Sequence, residues 1–442
     1  LPPNPAGELS RREAFSHPSR LPEGFGEWVA GLEAELDTKR ERAREVTGEK
    51  AALVYVRTRE DRNPEAHLAE LHELCRTAGI GVVETYVQSR PALDPRYALG
   101  KGALEEVELR CLQAGADLLV VGQELTAAQN RGISESTSLR VIDRTQLILD
   151  IFAQRARSRV GKLQVELAQL NYRLPRLSGR GTSMSRLAGG IGGRGPGETK
   201  LEVDRRRARD RIHLLEKEVE RLGGSRELLR KQRKAHGVPV VSIIGYTNAG
   251  KSTLLNTLTN AAVLAENKLF ATLDPTSRRL RFPREREIVL TDTVGFIRDL
   301  PRELMEAFRA TLEEMADADL LLHVIDASDP ARLEQMRSTE RILDELKLSE
   351  TPRLRVWNKV DRLAEADRQA LMAEHEGIPV SALDKGSTRV LIDELDRWLL
   401  MHGHAGVVPP TASSFDDYGQ PLEAWVEDGD PKTHNPETGE PA

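Results

Sequence analysis

The sequence predicts an α/β protein: two mostly parallel sheets, the second doubly wound, separated by a long antiparallel helical hairpin. Three observations carry this. Short β-branched runs alternate with amphipathic stretches over 48–145 and again over 236–402. Residues 146–235, between them, keep helical periodicity on both sides of a glycine-rich insert. Gly245–Ser252 reads G-x-x-x-x-G-K-S directly after the unbroken run Val238–Ile244, the spacing of a loop that joins a strand to a helix around an anion.

In order, residues 1–47 open the chain: 1–26 are rich in Pro, Gly and Arg and read as a flexible leader, and a short helix follows from Trp28 to Arg44. The small α/β domain follows over 48–145. Its strands are Ala51–Val56, Gly81–Val87, Asp117–Val121 and Val141–Asp143; helices span Glu65–Thr77 and Gly100–Gln113, and another begins at Thr126. Gly100-Lys101-Gly102 could contact phosphate at a helix start, but a lone G-K-G is a weak signal and a glycine-capped turn is the favoured reading. Over 146–235 the spacing predicts one helix from Thr145 to Leu174, on Leu147, Ile151, Val160, Leu163, Leu167 and Leu170. A second runs from Glu198 to Leu222, on Leu201, Val203, Ile212, Leu215 and Val219. In the third region, 236–402, strands Val238–Ile244, Glu287–Thr291, Leu320–Ile325, Arg353–Trp357 and Ile378–Val380 alternate with helices, the pattern of a doubly wound nucleotide-binding domain. Residues 403–442 are Pro-, Gly- and acid-rich and are expected to be disordered apart from a turn near Leu422–Trp425.

Composition excludes several classes. A chain of 442 residues holds two or three domains, and a net charge of −6 does not mark a nucleic-acid binder on average. Only Cys75 and Cys111 occur, both within apolar helical stretches. They read as buried thiols, which excludes a disulfide framework or zinc cluster and argues against a cysteine-dependent RNA-modifying activity. No run approaches the length of a membrane span and no secretory signal is evident, so a cytoplasmic monomer is expected.

The average charge hides segregation. Leu174–Gly197 contains eight glycines and two prolines and no acidic residue. Arg173, Arg176, Arg180, Arg186 and Arg194, with Lys200 and the Arg205–Arg207 run beyond, put cations on a backbone stripped of bulk. That composition suits close approach to an RNA phosphate backbone. A solvated linker is the alternative, but this segment interrupts a hairpin rather than joining two domains.

The third region carries the chemistry. Inward-facing N–H groups of Gly245, Tyr246, Thr247, Asn248, Ala249 and Gly250, with the start of the helix at Lys251, Ser252 and Thr253, form a phosphate nest. Lys251 would reach the β- and γ-phosphates and Ser252 would ligate Mg²⁺. Asp292-Thr293-Val294-Gly295 follows a strand; Asp292 can hold Mg²⁺ through water and the Gly295 N–H can bind the γ-phosphate. In Phe270-Ala271-Thr272-Leu273-Asp274, Thr272 is the candidate switch threonine and metal ligand, with Thr276 its competitor. Asn358-Lys359-Val360-Asp361 follows another strand. The Asp361 carboxylate suits guanine's N1–H and N2 amine, which adenine lacks. Ser381-Ala382-Leu383 can give an N–H to the guanine O6. Lys251, Thr272 and Gly295 are the catalytic candidates, and the nucleotide is GTP, hydrolysed to GDP by a P-loop GTPase domain.

These motifs, together with Tyr97-Ala-Leu-Gly-Lys-Gly102 and Gly193-Arg-Gly-Pro-Gly-Glu-Thr-Lys200, resemble those of the HflX family of ribosome-associated GTPases over roughly residues 50–400. The resemblance implies binding to the large ribosomal subunit, with the hairpin loop reaching ribosomal RNA near the peptidyl-transferase region. It further implies splitting or rescue of stalled ribosomes under stress, and a second purine-nucleotide site in the N-terminal domain. Two departures follow. The compact C-terminal domain of some members is not evident beyond 403. Phe296 stands where many GTPases have a water-orienting glutamine, a replacement the family shares, so slow intrinsic hydrolysis stimulated by the ribosome is expected. Asn248 is a candidate K⁺ ligand.

Overall fold

A strand buried on both faces of a parallel sheet needs a continuous apolar run, and the first strand has one. In the computed structural model Ala51 to Val56 of β1 (Lys50–Arg57) are all buried. The described residues are 49–177, 200–235, 238–259, 269–273, 276–282, 286–308, 315 and 317–402, with backbone alone at 200 and 223–235. The leader, most of the Gly/Arg-rich segment, Asp274 and the acidic tail therefore lie outside them.

The chain divides into two compact units, residues 1–219 with 300–308, and 220–299 with 309–442. In the first, β1 is flanked by β2 (Gly81–Ser89), β3 (Leu118–Val121) and β4 (Arg140–Asp143) in the order β2-β1-β3-β4, all parallel. Helices α1 (Pro64–Ala78), α2 (Lys101–Ala114) and α3 (Ala127–Ser136) make the connections. Thr126 starts α3 with a reciprocal capping box to Gln129, the device its sequence signals. Cys75 and Cys111 are buried, and burial pushes both thiols up to about 12, so neither is a thiolate near neutrality.

The single helix expected over Thr145–Leu174 is two. Helix α4 (Arg144–Arg155) ends where Ala156 turns to φ −60°, ψ 115°, and α5 (Arg159–Arg173) restarts on Ser158, whose Oγ accepts from the Gly161 N–H at 2.9 Å. The apolar spacing runs on across this break, so periodicity alone cannot reveal it; the serine N-cap decides it. The following helix, α6 (Lys200–Ala235), is longer than its apolar seam suggests. Glu166 accepts from Arg211 at 2.7 and 2.8 Å, Arg159 pairs with Glu218, and Arg205 donates to the Leu177 carbonyl at 2.8 Å. The partners descend along α6 as they ascend along α5, an antiparallel order.

In the second unit β5 (Val240–Ile244) is central to a six-stranded sheet. Its order is β10-β9-β8-β5-β7-β6, from β6 (Thr276–Arg281), β7 (Glu287–Asp292), β8 (Leu320–Asp326), β9 (Arg353–Asn358) and β10 (Ile378–Pro379). All pairs are parallel except β6 with β7. Sequence reading missed β6 because Thr-Ser-Arg-Arg-Leu-Arg buries only Leu280; an edge strand needs no apolar face. Helix α7 (Lys251–Thr259) contributes Leu254, Leu255 and Leu258 to a core with Ile243, Leu322, Val324 and Val356. Helix α11 (Lys385–Met401) closes it with Leu391, Leu395 and Leu399; between them in the chain come α9 (Arg332–Glu345) and α10 (Glu365–Glu374). The short helix α8 (Arg302–Ala307), read from sequence as part of the third region, clusters with the first unit. There Phe308 meets Phe152 edge-on at 5.7 Å. No helix among the described residues is long and apolar enough to cross a membrane.

Candidate functional site

From β5 the chain moves to β7 on one side and to β8 on the other, so the carboxyl end of β5 is a topological switch point, where open α/β sheets bind ligands. Gly245–Gly250 lies there. Gly245 takes φ 143°, and a Cβ on it would fall 2.1 Å from the Val324 carbonyl oxygen, so only glycine lets the loop leave the sheet here. Lys251, 6% exposed, donates Nζ to the carbonyls of Gly245 at 3.1 Å and Tyr246 at 2.9 Å. Burial pushes its amine down to about 8, against the opposing pull of the Asp292 carboxylate.

Three separate motifs converge one residue further on. Ser252 Oγ donates to Asp292 Oδ2 at 2.6 Å and lies 2.7 Å from Thr272 Oγ1. Asp292 is fully buried, its second oxygen has no donor in hydrogen-bonding geometry, and burial raises its carboxyl while Lys251 and the Ser252 hydroxyl oppose the rise. An underused buried carboxylate beside two hydroxyls is a hard-oxygen set that fits a small divalent cation such as Mg²⁺. Thr276 sits instead on β6, paired with Asp292 in the sheet, which leaves Thr272 as the threonine at this cluster.

Thr247 ties two loops to the phosphate loop. Its Oγ1 accepts from the Phe270 N–H at 2.8 Å and its own N–H donates to the Phe296 carbonyl at 2.7 Å. Phe270 is buried at φ 53°, Leu273 is buried, and Ala271 lines the cleft with Thr272, Thr253 and Asn248. Thr293 donates to the Ile243 carbonyl at 2.7 Å and Val294 is buried. Gly295 passes so close that a Cβ would stand 2.9 Å from Thr247 Cα and 3.1 Å from Lys251 Nζ. Phe296, 1% exposed, bridges in parallel to Tyr246, so its ring belongs to the core and not to the cleft.

The base-side motifs are braced against the phosphate side. Buried Asn358 donates Nδ2 to the Ala249 carbonyl at 2.7 Å and accepts at Oδ1 from the Ala382 N–H at 2.9 Å. Lys359, at φ 63°, donates to the Asn248 carbonyl at 2.8 Å and pairs with Asp326 at 2.7 Å. Asp326 escaped sequence reading; its one signal is an acidic residue at the end of an apolar strand. Val360 packs into a small core with Trp357, while Asp361 and Leu383 are exposed.

The cationic set divides differently. Arg173 is exposed, 3.8 Å from Asp150. Arg176 is committed to the fold: it donates to the carbonyls of Tyr172 at 2.9 Å and Leu125 at 2.7 Å, and stacks 3.5 Å from the Tyr172 ring centre. It is therefore not presented to RNA as sequence reading expects. Arg180, Arg186 and Arg194 lie outside the described residues, as does the Lys200 side chain.

Family models agree along the chain. One described as the N-terminal part of GTP-binding GTPases matches 65–153, their middle region matches 155–233, and a 50S ribosome-binding GTPase model matches 240–359. GTPase HflX of Caldanaerobacter subterraneus subsp. tengcongensis is 48% identical over 372 residues, 84% of this chain and 84% of that one. GTPase HflX of Escherichia coli K12 is 48% identical over 316 residues, 72% of this chain and 74% of that one. A solved GTP-binding protein of Sulfolobus solfataricus in complex with GDP is 25% identical, with TM-score 0.41, covering 80% of this chain and 99% of that one. With a relative this similar over most of both chains, and three family models in register along it, the chain belongs to the HflX family and is a GTPase.

Proposed function

We propose that this GTPase is a nucleotide-gated factor of the large ribosomal subunit. In its GTP form it grips ribosomal RNA through the Gly/Arg-rich segment, and it splits or rescues stalled ribosomes under stress. The observation that carries the gating is the meeting of Ser252, Thr272 and Asp292, with Gly295 packed against Thr247 and Lys251. Three loops far apart in sequence meet where the third phosphate would lie, so that group would contact Thr272 and Gly295 at once and its loss would release both loops from it. Ser252 and Thr272 would ligate Mg²⁺ directly and Asp292 through water. The ion would neutralise charge developing on the β- and γ-oxygens. Asn248, at φ 61°, is the proposed ligand for K⁺.

Lys251 orients the phosphates, and the Gly295 N–H holds the terminal one. No side chain at Phe296 can orient the attacking water, because the ring is buried and has no hydrogen-bonding atom, so unaided turnover is slow and the ribosome completes the site. The test is co-sedimentation of the full chain with isolated large and small subunits, with a non-hydrolysable GTP analogue or GDP, alongside GTP turnover with and without subunits. Preferential binding to large subunits in the analogue state, with turnover accelerated by them, is expected. Equal binding in both nucleotide states and equal turnover would refute the proposal. Replacing K⁺ by Na⁺ in the same turnover assay should slow it if Asn248 holds the ion.

A further inference from the structure

The loop Ser381–Leu383 has three amides, and two are already committed. The Ser381 N–H donates to Ser387 Oγ at 2.8 Å and the Ala382 N–H to Asn358 Oδ1 at 2.9 Å. The Leu383 N–H has no protein acceptor among the described residues, and its residue is 80% exposed. The carbonyl side of the loop is held as well. Thr257, on α7, donates Oγ1 to the Ala382 carbonyl at 2.5 Å. A threonine hydroxyl inside a helix ordinarily turns back to the carbonyl four residues earlier; that acceptor, Thr253 O, stands further off at 3.1 Å. Asp384 caps α11 through the N–H groups of Gly386 at 2.9 Å and Ser387 at 3.2 Å, which fixes the helix turn that carries the Ser387 hydroxyl.

We infer that Thr257, assisted by Ser387, is a positioning residue for guanine selection. It fixes the loop so that the Leu383 amide donates to the oxygen at position 6 of the base. The helix that begins with Lys251 and Ser252 at the phosphates reaches the base loop through Thr257 on its second turn, so one rigid element sets both ends of the nucleotide. The inference deepens the GTP-site reading and rests on it. Its readout is kept separate, because Asp361 reads the N1–H and 2-amino edge of guanine and the loop reads position 6.

The experiment measures affinities of the full chain, and of Thr257→Val and Thr257→Ser, for GDP, 6-thio-GDP and IDP. The thio analogue changes only the atom at position 6, and IDP lacks only the 2-amino group. Thr257→Val is expected to weaken GDP about tenfold, in keeping with one lost hydrogen bond. The preference for GDP over 6-thio-GDP should shrink toward one while the preference over IDP stays unchanged, and Thr257→Ser should restore the parent values. The inference is overturned if the parent chain does not distinguish GDP from 6-thio-GDP, if Thr257→Val leaves GDP affinity intact or weakens all three nucleotides by one factor, or if serine fails to restore. A parent chain that distinguishes 6-thio-GDP but not IDP would refute the role of Asp361 and leave that of Thr257 standing.

Discussion

Asn358 is a single side chain with two partners that belong to different ends of the nucleotide, the Ala249 carbonyl and the Ala382 amide. It is 1% exposed, so both bonds are made out of contact with bulk water. Truncation to alanine leaves a buried donor and a buried acceptor unmatched, at a cost of about 2 kcal/mol, or roughly thirtyfold in affinity. Asn358→Ala should therefore weaken GDP by about that factor in titration calorimetry; an unchanged affinity would mean that the brace does not matter for binding. Asp361 makes a different kind of prediction, about identity instead of strength. Asparagine at 361 presents an N–H where the carboxylate accepts, which suits the 2-oxo group of xanthine and opposes the 2-amino group of guanine. Asp361→Asn should reverse the preference from GDP to XDP in a competition assay, by about tenfold or more.

At the scale of elements, His323 shows what the sheet does to a titratable group. It lies mid-strand on β8, 2% exposed, and burial drives its imidazole from 6.5 to about 3, with the charges of Arg355, Arg353 and Lys251 pushing the same way. Between those values the unfolded chain binds a proton the folded one refuses, so stability rises with pH through this window and is lost as pH falls below 6.5. From pH 7.5 to pH 5 the loss from this one residue is about 2 kcal/mol. Urea unfolding of His323→Leu at the two pH values should show an acid loss smaller by about that amount. The strand itself was legible as an apolar run, as were β1, β5 and the loop from Gly245 to Ser252, because burial on both faces and phosphate wrapping each demand a distinctive composition. The elements that escaped had no such demand. Strand β6 holds its place at an edge by pairing with β7. The break between α4 and α5 rests on one serine hydroxyl. Arg176 could not be placed from its neighbours in sequence, since one of its acceptors, Leu125, is brought to it only by folding. Thr257 and Asp326 were missed for the same reason: each acts through a partner distant in the chain.

For the molecule as a whole the question is how a chain of net charge −6 would hold a polyanion, as the proposed function requires. Averaged charge would repel RNA, so any grip must be local, and the segment from Ser178 to Gly197 has Arg180, Arg186 and Arg194 with no acidic residue among them. Each arginine that neutralises a phosphate releases a counterion and adds roughly 0.7–0.9 to the slope of log affinity against log salt. Replacing the three together by alanine should therefore lower the slope for large-subunit binding by about 2–3 and weaken binding most at low salt. Among the described residues the nucleotide cleft is lined from Thr247 to Gly295, by the phosphate loop, the Phe270–Thr272 loop and the turn after β7. GDP affinity, and GTP turnover without subunits, should accordingly match the parent chain, while stimulation by large subunits falls with occupancy. A salt slope left unchanged would remove this segment from the RNA contact, and the exposed arginines at the start of α6, Arg206 and Arg207, would then be the next to replace.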